Sequence, residues 1–140
     1  MEAVVFDPVE MRVKLNNKAQ VAVWQGQLRK HLYEVRGRRC DKCKKPLSLY
    51  AYTMTSKELA SLETHEGIVS KANVMGQRLP KKAYIFTEVN TLILCPTCHR
   101  PNPPDRQWAW DYLCEFYGEE IVRTWHEGLQ WKTGRPPRYF

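Results

Sequence analysis

The sequence predicts an α+β domain, and three observations carry that expectation. Residues 17–36, NKAQVAVWQGQLRKHLYEVR, set Val21, Trp24, Leu28, Leu32 and Val35 at three- and four-residue steps, which is the spacing of one apolar helical stripe. Residues 59–66 and 90–95 read as short strands, the second (NTLILC) rich in branched apolar side chains. Residues 105–131 then hold two further helical runs. A chain of 140 residues suits one modest core, so we expect a single domain over 1–140: an N-terminal helix (17–36), a central segment (37–100), a C-terminal helical pair (105–131) and a tail (132–140).

Each element has a local reason. Gly26 costs the first helix some propensity without abolishing it, and Gly37 supplies its stop. His31 lies near the apolar stripe and receives no role. The following RRCDKCKKPL reads as a knuckle turn that presents two thiols. LETHE forms the end of the first strand and runs into a long stretch, residues 67–89, in which AYIFTEV is a candidate strand of its own. The string PNPP at 101–104 forbids helix continuation, Asp105 caps a new helix, and Gly118 stops it before EEIVRTWHEGLQW. Trp108, Tyr112, Phe116, Val122 and Trp125 read as mutual core packing, with Cys114 an inert small residue among them.

Composition narrows the class. An apolar share of 43% and an aromatic share of 11% belong to a folded protein and exclude a disordered tail. No run approaches the roughly 18 apolar residues of a membrane span, and Met1-Glu2-Ala3 lacks the form of a signal peptide. Five cysteines, four of them in the pairs Cys40/Cys43 and Cys95/Cys98, suit metal binding in a reducing compartment better than a disulfide scaffold. The expectation is a soluble cytoplasmic protein with no membrane partner. Of the net charge of +7, nearly all sits in residues 1–48, with eleven Lys/Arg against five Asp/Glu. Arg36, Arg38, Arg39, Lys42, Lys44 and Lys45 surround the first cysteine pair and read as a phosphate-binding surface for nucleic acid, against the alternative of a solvated charged face.

The string LCPTCHR at 94–100 admits haem attachment, a redox dithiol or zinc. Haem and redox chemistry each leave Cys40 and Cys43 without a task. Zinc uses both pairs, because four thiolates close a tetrahedral shell and tie the end of the first helix to the end of NTLILC. His99 is then left over, directly behind that shell; a Cys-Cys-Cys-His shell that recruits it is the alternative.

The ordered set of a tryptophan-bearing helix, a basic Cys-x-x-Cys, Leu62-Glu63-Thr64-His65, a loop, and Asn90 followed by Leu94-Cys95-x-x-Cys98-His99 resembles the HNH endonuclease family over about residues 20 to 100. The resemblance implies a zinc-braced ββα-metal core flanked by the N-terminal and C-terminal helices. It implies Cys40, Cys43, Cys95 and Cys98 as ligands of a structural Zn2+, and His65 and His99 at one catalytic divalent ion (Mg2+, Mn2+, Ni2+ or Zn2+). Asn90 would steady the loop or orient the general base. The family commonly places two adjacent residues, ligand then base, at the first strand, whereas this chain has Thr64-His65-Glu66. Aligning Leu62-Glu63 with the family's Leu-Glu-x-His makes His65 the ligand and Glu66 the base; the other alignment makes His65 the base behind Thr64. Pro101 also limits the helix that carries His99 to about one turn. The implied activity is metal-dependent hydrolysis of DNA phosphodiester bonds, in a bacterial cell or a phage-infected host. The alternative is a non-catalytic zinc module of the same fold that binds nucleic acid.

Overall fold

The computed structural model describes residues 18–49, 59–70 and 85–129. The ends of the expected N-terminal and C-terminal helices, residue 17 and residues 130–131, lie outside these, as do Ala83, Tyr84 and the tail 132–140. Helix α1 (Lys18–Val35) is followed by strands β1 (Leu47–Ser48), β2 (Ala60–Ser61), β3 (Glu63–Glu66) and β4 (Thr91–Leu94). A one-turn helix α2 (Pro96–His99) then leads to α3 (Arg106–Tyr117) and α4 (Glu119–Glu127). The fold is mixed α+β. No helix among the described residues is long and apolar enough to cross a membrane.

The termini of the elements follow from single residues. Gly37 adopts φ 75°, and α1 ends in a Schellman motif in which Gly37 N–H donates to Glu34 O and Arg38 N–H to Tyr33 O. The Asp105 carboxylate accepts the Trp108 N–H at 2.8 Å and caps α3, which Gly118 ends at φ 101°. The sequence predicts both caps. The last helix stops at Glu127, where Gly128 N–H closes the turn onto Thr124 O and Trp125 O, and Leu129 tucks back into the core.

Strands β3 and β4 form an antiparallel hairpin with Glu63 opposite Leu94 and His65 opposite Leu92. Strand β4 is buried at every position, which is why its sequence is a continuous apolar run and not an alternation. Leu92, Ile93 and Leu94 meet Leu28 and Leu32 of α1, Leu113 of α3 and Val122 of α4 in one core. At Gly67 the hairpin passes so close to α3 that an added Cβ would lie 3.0 Å from Ala109 Cβ and 3.1 Å from Leu92 Cγ. The expected first strand is interrupted at Leu62, so its Ala60–Ser61 portion pairs in parallel with β1 and only Glu63–Glu66 pairs with β4.

The candidate strand AYIFTEV is not one over its described part, Ile85–Val89, in which Ile85 is helical and residues 86–89 bend and turn. Asn90 explains it. Its Nδ2 donates to Ile85 O and Val69 O, its Oδ1 accepts from Ile68 N–H and Val69 N–H, and its own N–H donates to Thr87 O. Every hydrogen-bonding capacity of this fully buried amide is met. One side chain thus pins the exit of β3 to the entry of β4.

A second polar centre lies on the other side of β4. Arg36, buried, donates to Asp41 Oδ2 at 2.7 Å, to Thr91 O, to Glu88 O and to Tyr117 Oη. Asp41 in turn accepts from Ile93 N–H at 2.7 Å and from Tyr112 Oη–H at 2.6 Å, while its N–H donates to Ile93 O. Burial works against the Arg36 charge, but the Asp41 carboxylate and Tyr117 outweigh it and raise the guanidinium pKa. Removing one partner of a buried pair leaves the other uncompensated. Arg36→Met should therefore lower the unfolding free energy by about 3–5 kcal/mol, measured by urea denaturation. A variant as stable as the wild type would show that the guanidinium is not structural.

Candidate functional site

The four cysteines of the two Cys-x-x-Cys pairs converge. The Sγ atoms of Cys40, Cys43, Cys95 and Cys98 all lie within 4.8 Å of one another, and Cys43 and Cys95 are 3.7 Å apart. A tetrahedral thiolate site with metal–sulfur bonds of about 2.3 Å requires sulfurs about 3.8 Å apart, so the cluster has the dimensions and the donors of a metal site. Local backbone sets the geometry: Lys44 N–H donates to Cys40 O, Cys40 N–H to Lys45 O, and Lys44 turns the chain at φ 66°. Cys95 precedes the first residue of α2 and Cys98 lies within it.

His99, the residue after Cys98, is the last of α2 and stands outside the sulfur cluster. Along β3 successive side chains face opposite ways. Glu63 and His65 face α2. The His99 Nδ1 lies 2.7 Å from Glu63 Oε1, and the His65 and His99 rings meet edge to face with centroids 5.1 Å apart. The other Glu63 oxygen accepts from Arg100 at 2.6 Å. Burial alone would push the Glu63 carboxyl up, but the hydrogen bonds from His99 and Arg100 outweigh it and hold it below the usual range. Arg106, on the first turn of α3, reaches back to donate to the backbone oxygens of Glu66 and Gly67.

Thr64 and Glu66 face the other way. They line a shallow cavity against α1 with Gln25, Arg29, Phe86 and Thr91. The structure therefore brings together His65, His99 and a residue the sequence reading gave no role, Glu63, and does not bring Glu66 to them. Asn90 touches neither imidazole; its bonds hold the loop behind them.

The basic residues also divide. Arg36, expected on a phosphate-binding surface, is instead the buried partner of Asp41, because its position one residue beyond α1 turns it inward under the knuckle. Arg38 is exposed and pairs with Glu34 one turn back; Arg39 is exposed and donates to Lys44 O. Lys42, Lys44 and Lys45 are exposed. Arg100 and Arg106, which the sequence reading left aside, carry the positive charge nearest the two histidines.

No family model, curated protein or solved structure matches the chain. Its chemistry must be read from these side chains.

The His65 imidazole is pushed down to about 4 by burial first, then by the charges of His99 and Arg106. It is a neutral ring with an available lone pair through the whole range above that. An unfolded chain takes up this proton near 6.5, so the stability His65 contributes is complete above pH 6.5 and is lost as pH falls towards 4. NMR titration without added divalent ion should give His65 a midpoint well below 6.5, and His99→Gln should raise it. A midpoint at the ordinary value in the wild type would mean that His65 is not buried beside His99 in solution.

Proposed function

We propose that this protein is a metal-dependent nuclease of the ββα-metal type that hydrolyses DNA phosphodiester bonds, with zinc in its four-cysteine cluster as a brace. The observation that carries the reading is the approach of His65, on a strand end, to His99, on the one-turn helix behind the second cysteine pair, beside two arginines. The resemblance of the motif order to HNH endonucleases supports it.

Hydrolysis of a phosphodiester requires activated water, positive charge at the phosphate, and rigid placement of both. The imidazole nitrogens of His65 and His99 are donors suited to a divalent ion, which when bound would lower the pKa of water and offset charge on the phosphate. Among the described residues the four cysteines alone form a preformed group of three or more donors, so an ion at the histidine pair would take two protein donors, His65 and His99. With Glu63 accepting from Nδ1, the Nε2 of His99 would be left with its lone pair for an ion. Arg106 brings positive charge against His65 while two carbonyls hold it still. Glu66, on the far face of β3, is not the base in this reading.

Purified protein should contain about one zinc per chain by elemental analysis. Cys95→Ser should lower both the zinc content and the melting temperature; a metal-free variant that melts like the wild type would count against the brace.

Incubation with supercoiled plasmid and a panel of divalent ions tests the activity. Nicked or linear product is expected with at least one ion, and retardation without any cutting would point to a non-catalytic nucleic-acid-binding module. His99→Ala and His65→Ala should each reduce cutting by roughly 10²-fold or more. Glu63→Gln should raise the ion concentration for half-maximal cutting about 10- to 100-fold, as expected for a residue that orients a ligand. Glu66→Gln should cut within a few-fold of wild type, and a large loss there would return the role of base to Glu66.

A further inference from the structure

The exposed side of α3 is covered by the knuckle in an unusual way. The Lys42 Nζ lies 4.5 Å from the centroid of the Trp108 ring, and the Lys44 Nζ lies 4.8 Å from that of Tyr112. Trp108 and Tyr112, four residues apart on α3, are stacked at 9° with centroids 5.1 Å apart. Two ammonium groups are thus held side by side on a platform of two nearly parallel rings. Both rings are partly buried in the core behind them, so the platform is rigid.

An aromatic face attracts an ammonium but accepts at most weakly from its N–H groups, so each lysine retains donors for an anion. No carboxylate pairs with Lys42 or Lys44 among the described residues. Arg38, by contrast, is paired with Glu34. The nearest acid, Asp41, is buried and turned inward to Arg36, Tyr112 and Ile93. On α3 itself, Asp111 is bonded by Gln107 and lies round the helix from the ring pair, and Glu115 lies about one turn beyond Tyr112, where it bounds the platform.

We propose that the knuckle and this side of α3 form one docking face for nucleic acid, in which Lys42 and Lys44 take backbone phosphates and the rings of Trp108 and Tyr112 hold the two ammonium groups ready. This rests on the DNA reading and names the surface that would serve it. Paired positive charges on a fixed platform match a chain of regularly spaced phosphates. The sulfur cluster links this face to the candidate site through the chain: Cys43 lies between the two lysines, its sulfur belongs to the cluster that includes Cys98, and Cys98 precedes His99. Holding a lysine in place before binding reduces the rotamer entropy lost when phosphate arrives, so the rings act on affinity without contacting the DNA.

Fluorescence anisotropy with a short labelled DNA duplex, without added divalent ion and over a series of salt concentrations, separates charge from positioning. Lys42→Ala and Lys44→Ala should each reduce the slope of log affinity against log salt by about 0.9, the value for one phosphate contact on duplex DNA. Trp108→Leu keeps both charges and should weaken binding about two- to ten-fold at a fixed salt concentration, the cost of immobilising one freed lysine side chain. Trp108→Phe, which retains a smaller ring, should fall between and serves if the leucine variant does not fold. Unchanged slopes in both lysine variants would overturn the docking face, and wild-type affinity in the folded Trp108 variant would overturn the role of the ring. Because binding is read without cutting, a protein that fails to cut with every ion of the panel yet loses slope in the lysine variants would sink the nuclease reading alone. One that cuts with unchanged slopes would sink the docking face alone.

Discussion

A buried arginine paired with a buried aspartate is the constraint on which the arrangement of this protein depends. Arg36 leaves the end of the first helix and Asp41 begins the cysteine knuckle, and their contact fixes where the knuckle sits. Apart from the Arg36 Nε, which is buried without a partner, the pair's remaining groups bond to structure: Asp41 binds both backbone groups of Ile93, and Arg36 binds the carbonyls of Glu88 and Thr91. Strand β4 is therefore flanked by β3 on one edge and by a carboxylate on the other, which leaves that edge no open ladder for a further strand. Tyr112 and Tyr117 complete the shell, and burial, the leading cause at each, pushes both phenols up, so both remain protonated donors. A charged pair here gives no certain gain in stability over well-packed hydrophobes. What it adds is direction, because each of its bonds is satisfied in only one placement of helix, knuckle and strand.

Much of this was legible in the sequence, and the parts that were not share a cause. The stripe of Val21, Leu28 and Leu32, the Asp105 cap, the stops at Gly37 and Gly118 and the convergence of the four cysteines depend on local chemistry or on spacing, which a sequence displays. Arg36 was not legible as a core residue, since nothing in RGRRC separates an inward arginine from its outward neighbours. The turn at Ile85–Val89 was read as a strand because its apolar residues suit one, and the deciding partner, the Asn90 side chain, acts on the backbone.

At the candidate site the sequence offers His65 and His99, and the carboxylate bonded to His99 is Glu63. Matching a motif residue by residue drew attention to Glu66, whereas the pleat of β3 places Glu63 on the side of the histidines and Glu66 on the side of α1. The alternation was itself readable from the strand assignment, and it outranks adjacency in the chain. Arg106 had no such signal, for it reaches the site across forty residues by way of the α3 cap and two backbone oxygens.

The four-residue helix α2 carries a member of the sulfur cluster and a member of the histidine pair on consecutive residues. So short a helix has almost no stability of its own, and its conformation is held from its two ends. Binding at the two places would then be thermodynamically linked: a ligand that gripped His99 would steady Cys98, and occupation of the four sulfurs would steady His99 by the same free energy. Ligand groups built on neighbouring residues answer each other reciprocally, so binding at either one would change the affinity of the other.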